Sequence, residues 1–388
     1  MTRALFVSHT AEKGGAELFL MDVVRGGTED WQACFLSDGP AAAELAAAGK
    51  AALVLSAGKA MLAIRRGSGP GAMLRGAAAV VAVARELSLH ARRYDIVCAN
   101  SQKSLFVCAG AALLAKRPLV WILHDIITDP AFSAANRKAA VTIANTFASA
   151  VVVNSEETRD AFIQAGGKAS LTHLVYNGFE VAAWPRASIA EGQRLRSAFG
   201  LDARPVVSIF GRLTQWKGQH VLLEALARVP GTQGLIVGGG LFGQDAWEQH
   251  LHNQAKALGI SDRVQFAGFR DDVARLMAGS DVIVHASTAP EPFGRVVVEG
   301  MLTGRPVIAT QGGAIDSIIE DGRTGLVVPP SDPDALAAAI QRLIAAPEQA
   351  SAMGAAGRID VAARFDLAQT RAALAAVFAP IVSAKGAG

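Results

Sequence analysis

Cysteine is scarce: the 388-residue chain holds three, Cys34, Cys98 and Cys108. An odd count without metal-ligand spacing excludes a disulfide framework and a zinc-ribbon site. Cys34 and Cys98 sit in strand-like apolar runs and read as buried free thiols, which fits a reducing cytoplasm. Long hydrophobic runs are missing too. The best candidate for a membrane span, Ser104 to Leu123, is broken by Lys116-Arg117-Pro118, so no stretch spans cleanly. Met1 to Ser8 is followed at once by polar residues, and no signal peptide is read there. The expected location is cytoplasmic, either free or on the inner face of the cytoplasmic membrane. Aromatic residues make up 6%, while Ala and Gly are abundant, the composition of a GC-rich bacterial genome.

Excess charge is also small. The net value is +3, too little to imply a nucleic-acid partner. It is unevenly placed: residues 1–185 carry 18 Lys and Arg against 15 Asp and Glu, and residues 186–388 carry 19 of each, so the whole excess lies in the first half. It gathers at Lys59, Arg65, Arg66, Arg75, Arg85, Arg92 and Arg93, opposed mainly by Glu86 and interleaved with Met61, Leu62, Ile64, Met73 and Leu74. Such a Lys59–Arg93 segment suits an anionic membrane surface or an anionic acceptor; a solvated helix face is the plainer alternative. Gly67-Ser-Gly-Pro-Gly71 in its middle reads as a mobile loop.

Half of the chain is apolar, enough for two cores of ordinary size. Short apolar runs alternate with helix patterns, which predicts parallel sheets with βαβ crossovers. Strands are expected at 4–8, 32–36, 52–55, 96–99, 119–123, 150–153 and 171–175. After a polar, Pro-containing linker at 177–205 they restart at 206–210, 234–237, 264–266, 281–284, 306–309 and 326–328. Helices are expected at 16–24, 73–87, 136–148, 219–228, 335–344 and 367–382. The fold class is α/β, with two Rossmann-like doubly wound parallel-sheet domains.

Three motifs carry chemistry. Glu291-Pro-Phe-Gly-Arg-Val-Val-Val-Glu299 sets two carboxylates eight positions apart. A helix beginning near Gly294 would turn unpaired amides and a positive dipole end toward an anion such as phosphate. Glu291 then lies just outside that helix and Glu299 about a turn and a half inside it. The two can reach hydroxyls on either side of a bound phosphate, the layout of a nucleotide-sugar. The second motif, Ile209-Phe-Gly211-Arg212-Leu-Thr-Gln-Trp-Lys217-Gly218, follows a buried-strand pattern and precedes a helix. Gly211 permits close backbone approach, and Arg212 and Lys217 can stabilise a diphosphate leaving group. Third, Val120-Trp-Ile-Leu-His124-Asp125 ends a strand in a histidine, where open α/β sheets present ligands. Each alone could be bland: a surface carboxylate, solvated loop cations, a histidine capped by its Asp neighbour.

Together these residues resemble the retaining glycosyltransferases of family 4, which have the GT-B fold. The resemblance extends over most of the chain: Gly14-Gly15-Ala16-Glu17, Val175-Tyr-Asn177-Gly178-Phe179, Gly238-Gly-Gly240, Phe266-Ala-Gly268-Phe269, Gly312-Gly313 and Asp321-Gly-Arg-Thr-Gly325-Leu-Val-Val-Pro329 fit in order. One departure is Asp316, where many members carry Glu in a Gly-Gly-x-x-Glu motif.

The resemblance implies an N-terminal acceptor-binding domain (1–185), a C-terminal donor-binding domain (186–366) facing it across a cleft, and a last helix (367–388) crossing back to the first. It implies a nucleotide diphosphate sugar donor and a sugar or lipid-linked acceptor. Arg212, Lys217 and the amides near Phe293, Gly294 and Arg295 would hold the diphosphate, Gly211 would let backbone approach the donor, and backbone around Phe269 would meet the base. Glu299 would hold the ribose, Glu291 the donor sugar, and His124 the sugar near its 6-hydroxyl. Gly14 and Gly15 would approach phosphate and acceptor. No metal or other cofactor is expected, since cations and a helix end can neutralise the diphosphate. A dinucleotide-like Gly238-x-Gly240-x-x-Gly243 is read as a tight turn, because it follows the second strand of its domain. Asp332-Pro-Asp334 is read as a helix cap. A non-catalytic nucleotide-sugar binder and a nucleotide-sugar epimerase are the competing readings.

Overall fold

The computed structural model describes residues 2–27, 30–58, 70–239 and 245–386, with side chains at all of these except 70–77, 245 and 385–386. The chain forms two compact units. One comprises Met1–Phe179 with Leu367–Gly388, the other Glu180–Asp366. The division after Phe179 falls six residues before the expected 185/186.

The first unit carries a seven-stranded parallel sheet: β1 (Ala4–Ser8), β2 (Trp31–Phe35), β3 (Leu53–Val54), β4 (Ile96–Ala99), β5 (Leu119–Leu123), β6 (Ala148–Val153) and β7 (Thr172–Leu174). Their order is β3-β2-β1-β4-β5-β6-β7. Helices cover both faces, so the central strands β1, β4 and β5 are buried along their whole length rather than alternating. In β1, Leu5 and Val7 enter one core, and Ala4 and Phe6 the other. The helix Leu367–Gly386 belongs to this unit. Phe378 packs near Phe6 and Trp31, with ring centroids 6.1 and 5.8 Å away. Arg371 donates to the carbonyls of Asp22 and Val23, and Thr370 to that of Tyr176.

The second unit holds a six-stranded parallel sheet: β8 (Val206–Phe210), β9 (Gln233–Val237), β10 (Val264–Gly268), β11 (Val282–His285), β12 (Val307–Thr310) and β13 (Leu326–Val328). The order is β10-β9-β8-β11-β12-β13. Both sheets therefore reverse direction at one point, β1/β4 and β8/β11, where the connections leave to opposite sides. Ligands of open α/β sheets bind at the carboxyl ends of strands beside such a switch.

All thirteen strands fall within two residues of expectation. The expected linker is not plain coil: it contains a helix at Ile189–Phe199, capped by Ser188, whose hydroxyl accepts from the Glu191 amide. Short polar helices lack the apolar stripe that reveals longer ones. The pattern at 73–87 is a longer helix, Pro70–Ala91, which takes Pro70 and Gly71 out of the expected loop. Lys59, Met61, Leu62, Ile64, Arg65, Arg66, Gly67, Gly240 and Gly243, and the side chains of Met73, Leu74 and Arg75, lie outside the described residues.

The apolar stretch Ser104–Leu123 is part of a helix, Gln102–Ala115, followed by β5. Among the described residues, the helix long and apolar enough to cross a membrane is instead Leu367–Gly386. Its Leu367, Leu374 and Phe378 are buried in the first unit's core. All three cysteines are buried free thiols, and burial pushes each thiol up.

Candidate active site

In the second unit, two loops meet at the switch point. The loop after β8 runs from Gly211 through a short 3-10 turn, Gln215–Lys217, into the helix Gln219–Ala227. The loop after β11 leads to the helix Arg295–Leu302, with Gly294 in the left-handed region at its start (φ 82°). They are stitched together by backbone: the Thr288 amide donates to the Trp216 carbonyl over 2.7 Å. Gly218 also has positive φ (72°), and a Cβ there would sit 1.8 Å from the Ala286 carbonyl oxygen. Only glycine fits both the conformation and the approach.

This stitching brings Lys217 onto Glu291. The Lys217 ammonium ion-pairs with Glu291 Oε1 while lying 4.0 Å from the Trp216 ring centroid. His285 Nε2 is 2.9 Å from the same oxygen, and the Ser287 hydroxyl donates to it over 2.7 Å. Burial alone pushes the Glu291 carboxyl up. The Lys217 charge and the His285 hydrogen bond outweigh that and hold it well below the usual carboxylate range. The backbone is pinned as well: Glu291 bridges to Gly313, and the Ala314 amide donates to the Glu291 carbonyl over 2.9 Å. The departing residue, Asp316, turns back on its own loop and accepts from the Gly312 amide over 3.1 Å.

Glu299 lies on the helix as expected and is 9% exposed. Arg295 Nε donates to its Oε1 over 3.3 Å, an (i, i+4) pair. Phe293 is buried, its ring 5.4 Å from that of Phe365, so it anchors the loop by packing. Arg212 is exposed, and its guanidinium makes no hydrogen bond or ion pair to a described residue. Its carbonyl accepts from Gln219. Phe269, just past β10, is 62% exposed. Gly211 has positive φ (131°), and the backbone passes so close that a Cβ on Gly238 would lie 1.9 Å from its carbonyl oxygen. Asp332 caps the helix Pro333–Ala345, accepting from the amides of Asp334 and Ala335.

The first unit gathers a separate polar cluster at its own switch point. His124 follows β5, and its Nε2 is 3.0 Å from Asn100 Oδ1. Asn100 Nδ2 donates to the Ala16 carbonyl over 2.8 Å, so the amide oxygen faces the imidazole and Nε2 carries the proton. Phe19 meets His124 edge-on, with centroids 5.1 Å apart. Gly14 caps the helix Gly15–Arg25. There the Glu17 carboxylate folds back: it accepts from Ser8 over 2.6 Å and from the amides of Gly14 and Glu17. Burial nonetheless raises the Glu17 carboxyl. The Gly14 amide, assigned from sequence to a phosphate loop, is thus engaged by this carboxylate. His9, within 3.1 Å of Ser101 Oγ, is lowered to about 4 by burial and by Lys103.

The structure joins Lys217 with Glu291 and Arg295 with Glu299 in one unit, and Gly14 with the His124 neighbourhood in the other. Sequence reasoning missed His285, Ser287, Asn100 and Ser8. Each lies at or just beyond the carboxyl end of a strand, so the argument that singled out His124 would have found them. Among the described residues no group of three His, Cys, Asp or Glu could hold a metal ion.

The chain resembles known proteins over most of its length. Residues 14–178 match the family described as "Glycosyl transferase 4-like domain", and residues 193–360 match "Glycosyl transferases group 1". The structure of Anabaena HepE in complex with UDP and glucose is 36% identical, with a TM-score of 0.88, covering 98% of this chain and all of that one. The lipopolysaccharide core biosynthesis glycosyltransferase LpsE of Rhizobium meliloti is 38% identical over 36% of this chain and 40% of its own. A GDP-mannose-dependent phosphatidylinositol monomannoside mannosyltransferase of Mycolicibacterium smegmatis is 35% identical over 54% of this chain and 57% of its own. The chain spans about half the length of the curated relatives it matches. Sucrose-phosphate synthase of Thermosynechococcus elongatus, 21% identical with a TM-score of 0.80, shares the fold. The chain belongs to the group 1 glycosyltransferases, on the GT-B fold.

Proposed function

We propose that this protein is a retaining glycosyltransferase that moves a hexose from a UDP- or GDP-linked donor to a glycan, lipid-linked or small-molecule acceptor in bacterial cell-surface polysaccharide assembly. The observation that carries the reading is the convergence of Lys217 and Glu291 at the switch point of the second sheet, with the exposed Arg212 in the same loop. In this reading Arg212 and Lys217 take the diphosphate and stabilise it as a leaving group. Glu291 holds the donor sugar and steadies positive charge at the anomeric carbon. Glu299 takes the ribose diol, and Phe269 backbone meets the base. His124 presents an imidazole to the sugar. The acceptor hydroxyl attacks from the face the phosphate leaves, and the departing phosphate oxygen takes its proton, so no protein nucleophile is required.

The UDP and glucose bound by Anabaena HepE support a UDP-sugar; the mannosyltransferase relative supports GDP-mannose. LpsE supports a role in surface polysaccharide. Arg85, Arg92 and Arg93 are exposed on or beside the helix Pro70–Ala91, with Val81 and Leu89 48% and 61% exposed. That mixture supports a peripheral place on the cytoplasmic face of the membrane. The diphosphate needs no metal in this scheme.

A thermal-shift panel of UDP, GDP, ADP and TDP, with and without EDTA, tests the reading. A ligand at a hundred times its Kd adds about 2.7 kcal/mol. One nucleotide is expected to stabilise the protein regardless of EDTA; stabilisation by none, or only with metal, counts against the site. Donor hydrolysis without acceptor separates an enzyme from a binding protein.

A further inference from the structure

Three donors meet on one oxygen of Glu291. Lys217, His285 and Ser287 all address Oε1, and no described residue donates to Oε2. A carboxylate oxygen has two lone pairs, so three donors saturate it. His285 is 5% exposed, and its Nδ1 is buried with no hydrogen-bond partner. A proton on Nδ1 would be a buried donor without an acceptor. The imidazole proton therefore sits on Nε2, aimed at Oε1, with Ser287 Oγ 3.0 Å to the side. The Ser287 carbonyl accepts from the Thr310 hydroxyl over 2.7 Å, which fixes the loop beneath it.

These donors differ in what ligand binding does to them. Lys217 ends a long side chain and is 18% exposed, the most accessible of the three. A diphosphate competes for its charge. His285 is the last residue of β11 and is enclosed, so no anion reaches it.

We propose that His285, assisted by Ser287, is a positioning residue for Glu291: it holds Oε1 when Lys217 turns from the carboxylate to the donor diphosphate, leaving Oε2 as the oxygen that meets the donor sugar. This rests on the glycosyltransferase reading above. Without His285, Lys217 would be the main anchor of Glu291, and phosphate binding would release the carboxylate at the moment it is needed. The role belongs to the reacting complex rather than to nucleotide affinity.

The test compares His285→Asn with His285→Gln, using UDP-glucose and GDP-mannose as donors and UDP and GDP as binding probes. Gln places an amide nitrogen near the position of Nε2, and Asn does not reach it. His285→Asn is expected to lower kcat at least about tenfold with nucleotide Kd within about twofold, and His285→Gln to restore kcat to within about threefold. Unchanged kcat in His285→Asn overturns the proposal. So does a parallel loss of nucleotide binding, or a Gln variant as slow as Asn. If His285→Asn does not fold, Ser287→Ala carries the test: kcat should fall about threefold or more at unchanged Kd, and an unchanged kcat overturns the role. Wild-type protein with no turnover of either donor and no binding of either nucleotide overturns the glycosyltransferase reading and this inference with it. Active wild type with unaltered variants overturns this inference alone.

Discussion

Lys217 and Glu291, 74 residues apart in the chain, share one buried carboxylate oxygen, while Arg212 in the same loop as Lys217 is exposed and engages no described side chain. The two cations assigned to the diphosphate are thus not equivalent. Lys217→Ala removes a phosphate contact and also strips a buried carboxylate of its counterion, which costs on the order of 2–3 kcal/mol with His285 and Ser287 still in place. Arg212→Ala should leave stability within about 0.5 kcal/mol. Both should lower donor turnover on the order of a hundredfold. Steady-state kinetics with thermal unfolding separates the effects. Unchanged turnover in either variant would remove that residue from the phosphate site.

Glu299 sits on a helix and is held by Arg295 rather than by the Glu291 cluster. Its proposed partner, the ribose, does not react. Glu299→Ala should therefore raise donor KM more than it lowers kcat, the signature of lost uniform binding. The opposite pattern would place Glu299 at the reacting centre.

Acid should weaken the first unit through His9. Its folded-state value is lowered to about 4, below the ordinary value of about 6.5. Between those values the unfolded chain binds the extra proton, so stability rises with pH across this window. The contribution is complete above pH ~6.5 and is lost as pH falls toward ~4. It amounts to about 2–3 kcal/mol, less than the full shift implies because the ring keeps some solvent contact. Chemical denaturation from pH 7 to 4 should show a shallower loss in His9→Gln. Identical slopes would mean that His9 is not a buried neutral base.

Asp332 offers a test of the acidic pair at 332 and 334. Its carboxylate caps a helix. Asp332→Ala should cost about 1 kcal/mol and leave donor kinetics unchanged with or without EDTA. A kinetic defect rescued by divalent metal would assign this pair to catalysis instead.

The strands were legible because both sheets are parallel and covered on two faces. That burial forces continuous apolar runs such as Val206–Phe210 and Ala4–Val7, bounded by polar or glycine turns. The helix at Ile189–Phe199 was not legible, because its amphipathic stripe is short and only Gly192 and Leu195 are buried along it. Glu291, Glu299, Lys217 and His124 stood out from their places at strand ends and helix starts. His285 holds the same kind of place, just past the expected strand 281–284, but nothing in its spacing announces a carboxylate six residues on.

By itself the sequence determined the class of fold, the strand ends that carry chemistry, and the glycines demanded by backbone approach. These follow from local periodicity and from sterics at single positions. Tertiary structure alone decided that Lys217 answers Glu291, that three donors crowd one oxygen, and that Asn100 orients His124. Those pairings join residues brought together by crossover connections, and their strength depends on burial, which no short-range pattern encodes.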